Sequence, residues 1–143
     1  MTGFSVQEFD GGFRSIVSYQ GQPLSETFNG GYLCGAWRVN EQILLFISDA
    51  NGYEDWAHLH LLNANMKHLE TLHVGGSYTF GETDDIEATE GGALCFTFPN
   101  SRYRWQVTVL RKPQWRIGAL WPFSLVSYSG KWRTQLRCNL IVK

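Results

Sequence analysis

From residue 101 to the last, Lys143, the chain contains no aspartate or glutamate. Cysteine is scarce and odd in number. Cys34, Cys95 and Cys138 stand far apart, which argues against a disulfide framework or a Cys-x-x-Cys metal site and suits reduced thiols buried as small apolar groups. No stretch approaches the roughly 20 apolar residues that span a bilayer. The opening Met1-Thr2-Gly3-Phe4-Ser5-Val6-Gln7-Glu8 has neither the basic start nor the apolar run of a secretory signal. These absences lead us to expect a cytoplasmic protein without a membrane segment. Also missing are a Gly-x-Ser-x-Gly elbow, a cysteine with an adjacent histidine and a glycine-rich phosphate loop ahead of a helix. Glu54 and Asp55, if extended, alternate to opposite faces and do not act together as acid and base. An enzyme is the less favoured class, and no cofactor is implied.

What is present is aromatic and regular. The 143 residues suffice for one domain, taken as 1–143, that buries roughly two-thirds of its unfolded surface. Six Trp, six Tyr and nine Phe make disorder a poor reading. Period-two alternation predicts strands near 13–19, 31–39, 43–48, 56–62, 77–81, 93–98, 102–111, 114–120, 122–128 and 132–142. Turns such as Asp10-Gly11-Gly12, Asn29-Gly30-Gly31 and Pro99-Asn100-Ser101 separate them. One short helix is expected near 61–72, where Leu62, Met66, Leu69 and Leu72 fall close to helical spacing. The expected fold is all-β and mainly antiparallel, a single-domain sandwich or barrel of roughly 8–10 strands.

Charge divides along the chain. Residues 1–100 set Arg14, Arg38 and Lys67 against all 13 acids, a balance of −10, and residues 101–143 hold the other nine bases, so the overall −1 conceals a dipolar chain. Alternation places Arg102 and Arg104 on one face of their strand, with Tyr103, Trp105, Val107 and Val109 on the other. Lys131, Arg133 and Arg137 alternate likewise with Trp132, Leu136 and Cys138, and Arg116 alternates with Trp115 and Ile117. If these strands are neighbours, one outward sheet face is basic. The acidic run Glu82, Asp84, Asp85, Glu87 and Glu90 lies just before this block. It either folds back onto the basic strands as an intramolecular complement or serves, like the basic face, to meet a partner. Nucleic-acid binding by the basic face is a further reading, but Trp105, Trp115 and Trp132 fall on the apolar side rather than beside the cations.

Two short motifs carry chemistry. His58-Leu59-His60 puts two imidazoles on one strand face, close enough to share a metal. With Gly52 before them, these residues resemble the opening of the first cupin motif, which in that β-barrel family implies a metal held by the histidines. The glutamate which the family places four or five positions after the second histidine is replaced here by Ala64 and Asn65, and no histidine follows His73. A third ligand would have to come from His68, His73 or Asp55. Gly35-Ala36-Trp37 resembles the Gly-x-Trp signature of lipocalin-type barrels, which implies an apolar ligand near Trp37 and an arginine, here Arg133 or Arg137, stacked on it.

These readings converge on a non-enzymatic domain that binds another protein through charge complementarity and exposed aromatics. A toxin-neutralising immunity protein is a concrete version. A lipocalin-like or cupin-like small-ligand barrel and nucleic-acid binding are the alternatives, and a homodimer would hide an exposed sheet edge.

Overall fold

Ile43-Leu44-Leu45-Phe46-Ile47 is apolar at every position, and the next strand, Ala57 to Leu62, is buried at every position. Neither has the alternation of a strand with one wet face. Strands of this kind belong to a sheet covered on both sides. The computed structural model describes residues 1–49, 56–75, 84–89, 91–97, 103–115, 126–128 and 133–142, and it places these two strands in the middle of three stacked sheets.

The first sheet joins β1 (Phe4–Phe9), β2 (Arg14–Tyr19) and β3 (Gln22–Asn29) in that order. The central sheet contains β4 (Tyr32–Val39), β5 (Gln42–Ser48), β6 (Ala57–Leu62), β7 (His68–Val74) and, further along the chain, β11 (Val126–Tyr128), ordered β11-β7-β6-β5-β4. The third runs β12-β10-β9-β8, from β8 (Asp84–Ala88), β9 (Ala93–Thr97), β10 (Tyr103–Trp115) and β12 (Arg133–Val142). Every pairing is antiparallel. The sheets remain open, so the fold is a sandwich of sheets. The closed barrel expected as an alternative is not formed, and the barrel architecture implied by the cupin and lipocalin resemblances goes with it.

Parity along β5, β6 and β7 sorts the two cores. Leu44, Phe46, Leu59, Leu61, Leu72 and Val74 face the four-stranded sheet and pack on Leu94, Phe96, Trp105, Val107, Val109 and Leu136. Phe46 meets Phe96 edge-on across this gap, with ring centroids 4.9 Å apart. Ile43, Leu45, Ile47 and Leu62 face the other way, onto Val17 and Phe28 of the three-stranded sheet. Burying one such side chain contributes about 1.5–3 kcal/mol, so each cover is held mainly by its apolar contacts.

The helix expected over 61–72 is instead a hairpin. Asn63 ends β6: its side-chain Oδ1 accepts the amides of Asn65 (2.9 Å) and Lys67 (3.0 Å), and Met66 adopts φ 65°. Such local side-chain bonds compete with helix formation. The helical spacing arises by coincidence from two strands, since Leu62 and Met66 pack into one core and Leu69 and Leu72 into the other. Strands β1, β3, β7 and β8 were not expected, and the strand expected at 77–81 lies outside the described residues. Among the described residues no helix is long and apolar enough to cross a membrane.

Candidate functional site

All four histidines of the chain gather on one face of the central sheet, beneath the three-stranded sheet. Register explains it: β6 pairs His58 with His73 and His60 with Thr71 on β7, while β5 lies alongside with Ile47 opposite His58 and Leu45 opposite His60. His58 and His60 were anticipated as a pair. Their rings lie nearly parallel, centroids 6.2 Å apart, and the structure adds His68 and His73 to them.

The hydrogen bonds run in two chains. His58 Nε2–H donates to Asp49 Oδ1 at 2.7 Å, because a carboxylate only accepts. His58 Nδ1 shares a further hydrogen bond of 2.7 Å with His73 Nδ1. In the second chain His60 Nε2–H donates to the carbonyl of Asn29 at 3.0 Å, leaving Nδ1 to accept the Thr71 hydroxyl at 2.8 Å. Thr71 Oγ1 in turn accepts His68 Nε2–H at 2.6 Å, and His68 Nδ1 lies 3.2 Å from Glu26 Oε2. Phe28 sits edge-on to both His60 and His68, with centroids 5.0 and 5.4 Å away. Thus β3 grips the layer through Glu26, Phe28 and the Asn29 carbonyl.

Electrostatics follows from burial. His60 is only 1% exposed. Loss of water holds it well below the ordinary imidazole value; its bond to the Asn29 carbonyl opposes this, and the neighbouring histidines add to it. His73 is lowered to about 4, first by burial and then by His58, with Asp49 pulling the other way. The anticipated metal pair is therefore built into a hydrogen-bonded layer in which both nitrogens of His58 and both of His60 have protein partners. Two nitrogens sharing a tetrahedral zinc at about 2.05 Å would stand about 3.3 Å apart, whereas His58 and His73 meet at hydrogen-bond distance. Among the described residues no cluster of three His, Cys, Asp or Glu is arranged to hold a metal ion.

Charge is partly complemented within the four-stranded sheet. Arg104 reaches from β10 across β9, donating to Thr97 Oγ1 at 3.1 Å and to Glu87 Oε2 on β8 at 3.2 Å. One acid of the anticipated patch and one base of the anticipated face thus pair with each other. Trp105, Val107 and Val109 point into the core as alternation required, and Arg137 is exposed. Glu82, Glu90, Arg102, Arg116 and Lys131 lie outside the described residues, and of Asp84, Asp85 and Arg133 only the backbone is described.

Trp37 lies on the opposite side of the central sheet from the histidines. Its ring covers Gly35, where any Cβ would collide with it. It also lines a cleft of about 290 Å³ with Arg38, Val109 and Arg111.

One further surface escaped the sequence reading. Phe9, Phe13, Ile16 and Tyr32 are 40, 50, 40 and 58% exposed. Pairing of Phe9 with Arg14 and of Gln7 with Ile16 puts Phe9 and Ile16 on the outer face of the three-stranded sheet. Phe13 follows the 3-10 turn Asp10–Gly12, whose Gly11 takes φ 68°. Gly31 packs against this turn, since a Cβ on it would stand 2.7 Å from the Gly12 carbonyl oxygen, and the exposed Tyr32 follows it at the start of β4. Exposed Glu8 and Asp10 flank the group. Recognition of β1 would have exposed this patch, since its alternation turns Phe4 and Val6 inward and Phe9 outward. Comparison with protein-family models, curated proteins and solved structures returns no match.

Proposed function

We propose that this chain is a non-enzymatic, cytoplasmic domain that binds another protein, with the apolar group Phe9, Phe13 and Ile16 at the centre of the contact. The observation that carries this reading is the exposure of these three side chains together on the hairpin formed by β1, the 3-10 turn and β2. Isolated exposed apolar residues need no explanation, but a group of them rimmed by polar residues marks an interaction surface, and buried aromatics supply most of the binding energy at such contacts. Glu8 and Asp10 beside the patch favour a partner with a basic rim, which suits a toxin-neutralising immunity protein whose target has a basic cleft. Glu87, still 72% exposed while bonded to Arg104, leaves a carboxylate on the surface that can help steer such a partner. The free thiols Cys34, Cys95 and Cys138 support a reducing compartment.

Native mass spectrometry of the protein purified gently from its own source tests this reading. A bound protein of defined mass is expected, and Phe9→Ser with Phe13→Ser should weaken that complex at least a hundredfold without unfolding the chain. Bare protein, or a complex indifferent to both substitutions, refutes it. The Trp37 cleft favours a second reading, a small anionic ligand held by Arg38 and Arg111, for which Trp37→Ala with Arg38→Ala should abolish binding of an aromatic carboxylate such as 1-naphthoate in calorimetry.

A further inference from the structure

The cleft beside Trp37 is built by both sheets that share the larger core. Trp37 and Leu44 pair across β4 and β5, Leu94 and Val109 come from β9 and β10, and the turn from β8 to β9 forms one wall. That turn holds its own shape. Thr89 N–H donates to the Ala93 carbonyl at 2.8 Å, Thr89 Oγ1 accepts the Ala93 amide at 3.3 Å, and the Gly92 carbonyl accepts the Val109 amide at 3.2 Å. The indole is held as well, because it lies over Gly35 and occupies the space that a Cβ there would need. Wall and ring are thus set before any ligand arrives. At about 290 Å³ the cleft falls at the small end of ligand pockets, which run from about 300 to 1,000 Å³. It has room for one ring system and one charged group.

Its polar groups are mostly donors. Arg38 and Arg111 line the cleft from β4 and β10, both are exposed, and neither has an ion-pair partner among the described residues. Arg104, on the same strand as Arg111, is by contrast tied to Glu87. No aspartate or glutamate is among the described residues that line the space. The indole N–H of Trp37 and the carboxamide of Asn40 also have no hydrogen-bond partner among the described residues. Two cations without a local acid call for more than one negative charge. A carboxylate supplies one, whereas a phosphate monoester carries about −1.5 to −2 at pH 7 and presents three acceptor oxygens. Guanidinium groups match those oxygens in geometry. A flat heteroaromatic base stacks on an indole whatever its identity, and a carboxamide offers the donor and acceptor that read a base edge.

We infer that this cleft binds a nucleoside monophosphate, with the phosphate held by Arg38 and Arg111 and the base stacked on Trp37. The inference rests on the anionic-ligand reading of the cleft and narrows it from any small anion to a phosphate on a heteroaromatic ring; it is independent of the Phe9 surface. Arg38 belongs to the central sheet and Arg111 to the four-stranded one, so a bound nucleotide bridges the two. Occupancy therefore raises the stability of the fold as ligand concentration exceeds Kd.

Calorimetry on the intact chain with AMP, GMP, CMP and UMP in turn tests this, with adenosine, inorganic phosphate and 1-naphthoate as comparisons. At least one nucleotide should saturate a single site with a Kd below about 1 mM. The nucleoside, the free phosphate and the naphthoate should each bind about tenfold more weakly or worse, because each lacks either the stacked ring or the second charge. Arg111→Gln, at an exposed position, should weaken the nucleotide about tenfold and leave adenosine within about twofold. Trp37→Leu should weaken nucleotide and adenosine alike. Should that variant fail to fold, Arg38→Gln takes its place and is expected to behave as Arg111→Gln does. Saturation by none of the four nucleotides, a nucleotide bound no more tightly than inorganic phosphate or naphthoate, or an Arg111→Gln chain that binds it as the parent does would each overturn the inference. Naphthoate binding without a preference for the nucleotide leaves the anionic-ligand reading standing and removes this one, whereas binding of none of these compounds removes both.

Discussion

Glu70 offers the sharpest test of how the layers are joined. It stands on β7 opposite Leu61, so its side chain points into the core shared with the four-stranded sheet, and it is only 9% exposed. There its Oε1 accepts the backbone N–H of Leu136 at 3.0 Å, and that amide belongs to β12, at the end of its sheet's strand order. The carboxylate thus ties β7 of the central sheet to the backbone of β12. Glu70→Ala removes this hydrogen bond between the layers, worth about 1.5–3 kcal/mol. With the cavity included, a loss of about 3 kcal/mol is expected. Glu70→Gln keeps an acceptor of the same reach and should cost about 1 kcal/mol. For a urea slope near 2 kcal/mol per molar, the alanine variant should unfold about 1.5 M earlier and the glutamine variant about 0.5 M earlier. Tryptophan fluorescence during urea unfolding, with exchange of the Leu136 amide as the local probe, measures both. An alanine variant within about 0.5 kcal/mol of the parent, or a glutamine variant as damaged as the alanine one, would refute the argument from the acceptor.

Two further substitutions, with one at Gly91 as a control, probe the other core. Gly30 has φ +99°, and a Cβ there would stand 2.6 Å from Ile47 Cγ2 and 3.1 Å from the His58 ring, so Gly30→Ala should cost more than about 2 kcal/mol by thermal unfolding, whereas Gly91→Ala, which meets open space, should change stability by less than about 0.5. Ser15 is fully buried and its hydroxyl finds no partner among the described residues. Ser15→Ala should therefore raise stability by about 1 kcal/mol, and a loss of stability would show that the hydroxyl is satisfied.

How far the fold could be read from the sequence depended on burial. β10 was legible because it has one wet face: Arg104, Gln106 and Thr108 alternate visibly with Trp105, Val107 and Val109. β5 was legible through its apolar residues, and its lack of alternation is the mark of a sheet covered on both sides. β3 gave little signal, since Gln22-Pro23-Leu24-Ser25-Glu26 covers the edge of the small sheet and only Phe28 turns fully inward. β7 was hidden because Leu69, Glu70 and Leu72 mimic one turn of an amphipathic helix, while the turn at Asn63 that folds it back on β6 lacks glycine and proline. The histidine site was half legible for the same reason. His58 and His60 share a strand, so parity alone unites them, but only strand register brings His73, Thr71 and His68 to them. Asp49 arrives from a neighbouring strand's end and Glu26 from a different sheet, neither marked by spacing.

The double cover over β5 has a consequence for the cell as well as for the fold. Ile43 to Ile47 is an uncharged, proline-free apolar run of the kind that, once bare, zips against copies of itself. Each flanking sheet is therefore also a guard, and the small one is held over Ile43, Leu45 and Ile47 only while Val17 and Phe28 stay in place. A chain with its N-terminal strands detached would be more than weakened in its own structure. It would seed other copies, so the first 29 residues protect the population of molecules as well as the single one.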